Sequence, residues 1–234
     1  NLFSDAVVAL NAKTGKMLWY FQTVHHDLWD YDLAAPPILV TVTHDNKKID
    51  AIAQATKTGF VFLLNRETGE PLFPVEERQV PQSDVPGEKS WPTQPFPTKP
   101  LPLMQQELTE KDIWSDDTVR YKKCLEKLHV LRNEGIFTPP SERGSILYPA
   151  AGGGANWSGA AYNPESNILY IPVNTDVMVQ GLKKLPASNF NKTNAKVLRT
   201  SPSAAWWALT GRGTGLRYSM IDRRPFTVDG IPCK

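Results

Sequence analysis

The densest group of side chains that could do chemistry lies at residues 25–32, where the sequence reads His-His-Asp-Leu-Trp-Asp-Tyr-Asp. Histidine together with carboxylate suits zinc or iron, whereas carboxylate alone suits calcium or magnesium. His25 and His26 are adjacent and would face opposite sides of a strand, so they cannot readily bind one ion together. The i, i+4 histidine spacing of helical zinc sites is also missing from the sequence. The residues alone leave two interpretations open: a catalytic or metal site, and a polar loop that Trp29 anchors in the core.

The composition of the 234 residues is typical of a globular protein, with 41% hydrophobic and 21% charged residues. The net charge of +2 gives no reason to expect nucleic acid or an anionic membrane surface as partner. No apolar run approaches the roughly 20 residues of a membrane helix. The 20 prolines, 15 glycines and seven tryptophans indicate a loop-rich, sheet-rich protein. Two cysteines, Cys124 and Cys233, exclude a disulfide-dense scaffold and a four-cysteine zinc site, and whether they form a disulfide stays open.

A strand–turn–strand pattern recurs along the chain. Residues 11–16 separate two apolar runs, residues 65–70 repeat this turn 54 positions later, and residues 163–167 form a third, weaker copy. Repeated hairpins predict an all-β protein made of β-propeller blades, with an ordinary β-sandwich as the alternative. About three blades can be counted, where propellers usually have about four to eight. Because the chain also begins with Asn rather than Met, we expect residues 1–234 to be part of a propeller domain in a longer polypeptide.

A long insertion, about residues 73–145, separates the second and third copies. Its first half is rich in proline, which predicts extended, polyproline-like chain with few donors for a sheet. In its second half, residues 117–132 place apolar side chains at i, i+4 and i+7, which predicts a helix that ends by Gly135. These side chains are Cys124, Leu128 and Leu131. Residues 179–230 show no clear pattern of any element.

The glycines of the chain do not match the common nucleotide-binding motifs. The triple glycine at 152–154 is not followed by Lys and Ser or Thr, so it predicts a tight turn before the next strand rather than a phosphate loop. The sequence also has no Gly-x-Gly-x-x-Gly between a strand and a helix, the pattern of nicotinamide-binding proteins.

Residues 25–32 and the turn before them resemble the pyrroloquinoline quinone (PQQ) dependent dehydrogenases. These are eight-bladed propellers whose blades carry the signature Ala-x-Asp-x-x-Thr-Gly-Lys-x-x-Trp. Residues 9–19 fit it, with Asn11 where Asp is usual, and the second copy lacks the tryptophan. The chain resembles in particular the quinoprotein glucose dehydrogenase branch, and the resemblance covers nearly its whole length. The stretches that carry this closer similarity are residues 55–60, 92–96, 134–141 and 230–234.

The resemblance implies a set of site residues. Asp30 occupies the position of the family's catalytic base, which also ligates or neighbours a divalent cation, Ca²⁺ or Mg²⁺. Lys57 matches the basic residue that hydrogen-bonds the quinone oxygens, and Asn156 and Trp157 match an Asn-Trp pair that faces the cofactor. The other metal ligands of the family and the tryptophan beneath the cofactor belong to upstream segments outside this sequence.

These residue types suit the oxidation of an alcohol. A carboxylate can take the hydroxyl proton, a dication can polarise the quinone carbonyl, and a lysine ammonium can stabilise the developing charge. The resemblance therefore implies an oxidoreductase for a sugar or polyol, foremost D-glucose to gluconolactone. Electrons would pass through PQQ to ubiquinone or another respiratory acceptor. The family works in the bacterial periplasm, where an upstream segment could anchor the protein to the inner membrane.

Two alternatives stay open. Quinate, glycerol or another polyol could be the substrate, because those relatives share the same motifs. A non-catalytic propeller scaffold would share the blade repeat but would have no reason to keep both the Trp-Asp cluster and Lys57. In an enzyme, Asp30 and Lys57 should lie together and face the propeller axis, whereas positions on opposite faces would exclude the enzyme interpretation.

Overall fold

The computed structural model describes residues 2–184 and 218–234. The regular elements of this part of the chain are mostly strands, with one 13-residue α-helix and a 3₁₀ turn at Glu110–Asp112. The remaining elements are β1 (Ala6–Leu10), β2 (Met17–Gln22), β3 (Ile38–His44), β4 (Lys47–Ala55), β5 (Val61–Asn65), β6 (Val75–Gln79), β7 (Thr93–Pro97), α1 (Thr118–Val130), β8 (Ser145–Leu147), β9 (Ala161–Asn163), β10 (Ile168–Tyr170), β11 (Met178–Lys184), β12 (Tyr218–Pro225), β13 (Thr227–Val228) and β14 (Ile231–Pro232).

The strands form small sheets of two or three members. Within the described ranges, all ladders between these strands are antiparallel: β1 with β2, β3 with β4, β4 with β5, β6 with β7, β9 with β10, β13 with β14, and β11 with both β8 and β12. Small antiparallel sheets that follow one another along the chain are the arrangement expected of propeller blades, whereas a sandwich has two large packed sheets.

The three predicted turns share one construction. In each, an asparagine side-chain oxygen accepts hydrogen bonds from the backbone amides two and three residues later, at 2.8–3.3 Å. These asparagines are Asn11, Asn65 and Asn163. The first and third turns join the hairpins β1–β2 and β9–β10, as predicted. The second turn is also present, but the strand predicted after it is reduced to an isolated antiparallel bridge of Pro71 with Leu64. On its other edge, β5 pairs with β4.

Trp19 of β2 contacts the second turn. Its indole Nε1 donates to the backbone carbonyl of Arg66 at 3.2 Å. Gly69 lies against the ring, since a Cβ on this residue would be 2.6 Å from Cδ2 of Trp19. Gly69 also has a φ of +76°, which glycine adopts without strain. One sheet is thereby attached to the turn of the next without strand pairing.

The insertion contains a hairpin that the proline content did not predict. Strands β6 and β7 form a continuous antiparallel ladder, although Pro95 and Pro97 belong to β7. The backbones of Pro92 and Thr98 hydrogen-bond on the β6 side, so the alternating residues Pro95 and Pro97 turn their nitrogens to the opposite edge. The prediction of polyproline-like chain was therefore wrong for these residues.

Helix α1 confirms the predicted helical segment. Asp117 caps it by accepting a hydrogen bond from the backbone amide three residues later, and Cys124 and Leu128 are its buried residues. The helix ends at Val130, and the extended backbone of the C-cap residue Leu131 lies four residues before Gly135. Within the described residues, no helix has the length and hydrophobicity needed to cross a bilayer.

The C-terminal residues are attached to this helix by a disulfide. Cys124 bonds to Cys233, 109 positions later, with a Cα–Cα distance of 5.8 Å. The pairing that the sequence left open is thus made, and it fixes the hairpin β13–β14 to α1. Residues 179–230, to which the sequence assigned no clear element, contain most of β11 and all of β12 and β13. Residues 185–217 of this range lie outside the described residues.

Candidate functional site

The side chain of Asp27 organises the loop that carries Asp30. Its Oδ1 accepts hydrogen bonds from the backbone amides of Trp29 and Asp30, at 2.8 and 3.0 Å. Its Oδ2 accepts one from the amide of Tyr31 at 2.7 Å. Burial raises the pKa of Asp27, and these three hydrogen bonds oppose that rise. One carboxylate therefore fixes three successive peptide units around Asp30.

Asp30 is exposed between two buried anchors. Trp29 and Tyr31 are both 0% exposed. The Trp29 indole donates to the carbonyl of Thr138 at 2.8 Å, and the Tyr31 hydroxyl donates to that of Pro149 at 2.6 Å. Asp30 itself has a φ of +75°, a left-handed conformation that is uncommon outside glycine and that clusters at functional sites. The loop thus presents Asp30 at a fixed place above an aromatic core.

Lys57, in the connection between β4 and β5, reaches the same loop. Its Nζ lies 2.9 Å from the backbone carbonyl oxygen of Asp30 and 2.5 Å from Oδ1 of Asp32. The Lys57 side chain is only 9% exposed. An ammonium has three N–H donors, so one remains for a ligand. Asp30 and Lys57 therefore lie together, although Lys57 contacts the backbone of Asp30 and forms its ion pair with Asp32.

The triple glycine packs directly on Lys57. The amide of Gly154 donates to the carbonyl of Lys57 at 2.7 Å, and the amide of Ala155 donates to that of Thr56 at 3.2 Å. Gly153 has a φ of +78°, and a Cβ there would be 2.7 Å from the Cα of Lys57. The tight turn predicted from the glycines is thus present, and it supports the lysine that the resemblance singles out.

Asn156 and Trp157 follow this turn. The Asn156 Nδ2 donates to the carbonyl of Gly152 at 2.5 Å, and its Oδ1 accepts from the amide of Trp157 at 2.8 Å. The Trp157 side chain is 79% exposed, which leaves its ring open to a ligand. Because the turn is hydrogen-bonded to the backbone of Lys57, the structure brings both predicted residues to the neighbourhood of this lysine.

The two histidines of the polar cluster contact the insertion instead. His25 Nε2 lies 2.9 Å from Glu77 Oε1, and His26 Nε2 lies 2.8 Å from Glu88 Oε1. Each histidine thus pairs with a different carboxylate, which agrees with the expectation that the two do not share one ion.

Three aspartates to which the sequence gave no individual role belong to the site. Asp27 and Asp32 belong to the polar cluster, but neither their spacing nor the resemblance distinguished them. Asp5 carried no signal at all. Burial, with the charges of Asp27 and Asp32, raises the pKa of Asp5 to about 6, and the charge of Lys57 opposes this rise. Asp5 therefore belongs to the same electrostatic cluster.

The residues present fit one part of a cofactor and cation site. In residues 2–184 and 218–234, no three histidine, cysteine or carboxylate side chains form a group that could hold a metal. Ca²⁺ takes about six to eight oxygen ligands, so Asp30 fits as one ligand among several from elsewhere. The remaining N–H of Lys57 and the open ring of Trp157 suit a flat molecule that carries oxygen acceptors.

Comparisons with known proteins identify relatives of the whole segment. Residues 1–234 match the family described as "PQQ: Glucose/ethanol/alcohol dehydrogenase, beta-propeller domain". The quinoprotein glucose dehydrogenase of Gluconobacter oxydans is 42% identical over 72% of this chain and 21% of its own length. The glycerol dehydrogenase large subunit of that organism is 40% identical over 72% of this chain and 23% of its own length. A probable quinate dehydrogenase (quinone) of Xanthomonas campestris is 31% identical over 99% of this chain and 29% of its own length. The chain spans less than a third of the length of each of these relatives.

Proposed function

Because the chain belongs to the β-propeller family of PQQ-dependent glucose, ethanol and alcohol dehydrogenases, we propose that the full-length protein containing it oxidises a sugar or polyol hydroxyl by hydride transfer to PQQ. The first substrate to test is D-glucose, since the glucose dehydrogenase relative from G. oxydans is 42% identical. The product would be gluconolactone, and a respiratory quinone such as ubiquinone would receive the electrons. The protein would work in the periplasm, with any membrane attachment in segments outside these residues. The 234 residues would be part of one propeller domain, with residues 73–145 inserted.

The observation that carries this proposal is the contact between Lys57 and the Asp30 loop. The two residues come from separate parts of the chain, and the Lys57 Nζ lies 2.9 Å from the Asp30 carbonyl. A scaffold without a ligand has no need to hold a nearly buried ammonium beside an exposed, strained aspartate. A site that takes a proton and stabilises negative charge needs both groups at fixed positions.

Each residue has a specific role in this proposal. The Asp30 carboxylate takes the proton of the substrate hydroxyl and serves as one ligand of a divalent cation, Ca²⁺ or Mg²⁺. The third N–H of Lys57 donates to an oxygen of the cofactor. Asn156 and Trp157 flank the cofactor, the latter through its open ring. When bound, PQQ supplies the hydride acceptor, and the cation acts as a Lewis acid.

Dye-linked oxidation by the full-length protein tests the proposal. The protein is freed of PQQ and metal, and turnover of D-glucose, glycerol and quinate is measured with PQQ, with Ca²⁺ or Mg²⁺, and with both. We expect turnover of D-glucose that requires PQQ and the cation together. If quinate or glycerol is turned over and D-glucose is not, the proposed reaction stays and the proposed substrate changes. A folded protein with no PQQ-dependent turnover of any of the three would contradict the proposal and favour the scaffold.

A further inference from the structure

We propose that Asp32 is a positioning residue, which holds the ammonium of Lys57 so that its third N–H points at a fixed place beside Asp30. The carboxylate Oδ1 of Asp32 lies 2.5 Å from Lys57 Nζ. The inference rests on the proposed function only in naming PQQ as the ligand that this N–H meets.

A lysine side chain needs such a contact because it is long and flexible, and its charge attracts partners from many directions. Three contacts restrict Lys57 here. Its stem packs on Gly153, and its Nζ donates to the carbonyl of Asp30 and to the carboxylate of Asp32. Of these three, Asp32 supplies the charged partner, and charge-assisted hydrogen bonds are the strong ones.

The unequal burial of the pair indicates which partner depends on the other. The Lys57 side chain is 9% exposed, whereas that of Asp32 is 51% exposed. Asp32 can be hydrated without Lys57, but a nearly buried ammonium that loses its carboxylate is poorly compensated. Removing the charge of Asp32 should therefore release the Lys57 ammonium from its position.

The contact between Asp32 and the Lys57 ammonium, here called the clamp, also fixes Lys57 relative to Asp30. Asp30 and Asp32 are two residues apart on one loop, and both contact the same ammonium. The amides of this loop are held by Asp27. A ligand oxygen that accepts from Lys57 is therefore placed at a defined distance from Asp30, which is what a proton transfer and a hydride transfer at one centre require.

Labelling of lysines in the full-length apoprotein tests the clamp without any turnover. An amine-acylating reagent is applied to wild type and to Asp32→Asn, Asp32→Glu and Asp50→Asn, and the acylation of Lys57 is followed by mass spectrometry. Asp50 is the matched control, since its side chain is also 51% exposed and its ion pair with Arg66 lies elsewhere, on β4. We expect Lys57 to react several-fold faster in Asp32→Asn, close to wild type in Asp32→Glu, and unchanged in Asp50→Asn.

Titration of the same apoproteins with PQQ and Ca²⁺ gives the second readout. Asp32→Asn should bind PQQ about tenfold more weakly, the usual scale for losing a group that orients a ligand, and Asp32→Glu should recover most of this loss. Unchanged labelling of Lys57 in folded Asp32→Asn would overturn the clamp. Faster labelling with unchanged PQQ affinity would overturn its role toward the ligand. Failure of wild type to bind PQQ would overturn the proposed function, while the labelling would still decide whether Asp32 holds Lys57.

Discussion

The ammonium nitrogen of Lys57 lies 2.9 Å from the backbone carbonyl oxygen of Asp30, a residue 27 positions earlier in the chain. This contact joins the connection between β4 and β5 to the loop before β3. Because Asp27 fixes the amides of that loop and Gly153 packs on the stem of Lys57, neither residue can move far without the other. The candidate base and the candidate cofactor ligand therefore form one unit.

Replacing Lys57 should impair cofactor binding far more than folding. Lys57→Met keeps the length of the stem and removes the charge, and the partner Asp32 is half-exposed and can be hydrated. A hydrogen bond from a charged group contributes about 1.5–3 kcal/mol, so PQQ should bind about 10- to 100-fold more weakly. Titration of the apoprotein with PQQ measures this, with Lys13→Met on the exposed first turn as control. Wild-type affinity in Lys57→Met would remove Lys57 from the cofactor site.

Gly153 should tolerate a side chain less well than another glycine of the same conformation. Gly153→Ala and Gly15→Ala both add a Cβ at positive φ, at +78° and +68°. The Cβ at Gly15 meets nothing within 4 Å, whereas that at Gly153 would be 2.7 Å from the Cα of Lys57. Gly15→Ala should cost about 1 kcal/mol, and Gly153→Ala about 1–3 kcal/mol more. Urea denaturation compares the two, and equal losses would show that the close packing on Lys57 contributes nothing.

Removing the carboxylate of Asp5 should stabilise the protein at neutral pH. Its folded pKa of about 6 lies above the ordinary value of 3.8, so the ionised form is disfavoured in the fold. The cost appears as pH rises above the unfolded value and is complete above about 6. This shift of about two units sets an upper limit of about 3 kcal/mol, and solvent screening of this partly buried group reduces it to about 1 kcal/mol. Asp5→Asn should therefore raise the free energy of unfolding more at about pH 7.5 than at about pH 4.5. An equal change at both pH values would contradict this origin.

The exposed ring of Trp157 should matter for the ligand and not for stability. Its side chain is 79% exposed, so Trp157→Ala should change the free energy of unfolding by less than about 0.5 kcal/mol. An aromatic contact contributes about 0.5–1.5 kcal/mol beyond burial, so PQQ should bind about 2- to 10-fold more weakly. Trp114→Ala is the control, since Trp114 is also exposed, at 49%. A PQQ affinity that is equal in wild type and both variants would place Trp157 outside the site.

The parts of the fold that the sequence predicted are those that local chemistry decides. The turns at Asn11, Asn65 and Asn163 depend on an asparagine and its next few amides, so they can be read without knowing the rest of the chain. The sequence does not predict the β6–β7 hairpin, because proline within a run usually argues against a strand. Whether a proline disrupts a ladder depends on which edge its nitrogen faces, and only the register of the strands reveals that.

The candidate site likewise combines residues that the sequence reveals with contacts that only the folded chain creates. Asp30 and Lys57 stood out through residue type and resemblance. The part played by Asp32 could not be predicted, because its partner Lys57 is 25 residues away and the contact exists only in the folded chain. Asp5 was missed for the same reason, since its raised pKa arises from burial and from neighbours that the fold brings near.

The most direct test of the account is the reduction of bound PQQ by substrate in one turnover, followed by absorbance in the full-length protein with Ca²⁺. Wild type and Asp30→Asn are each loaded with PQQ and mixed with D-glucose, glycerol or quinate. The account predicts that wild type reduces its PQQ with at least one of these substrates. It predicts that Asp30→Asn also binds PQQ but reduces it at least about 100-fold more slowly, because the variant lacks the carboxylate that takes the proton. Reduction at the wild-type rate in Asp30→Asn, or a folded wild type that binds no PQQ, would contradict it.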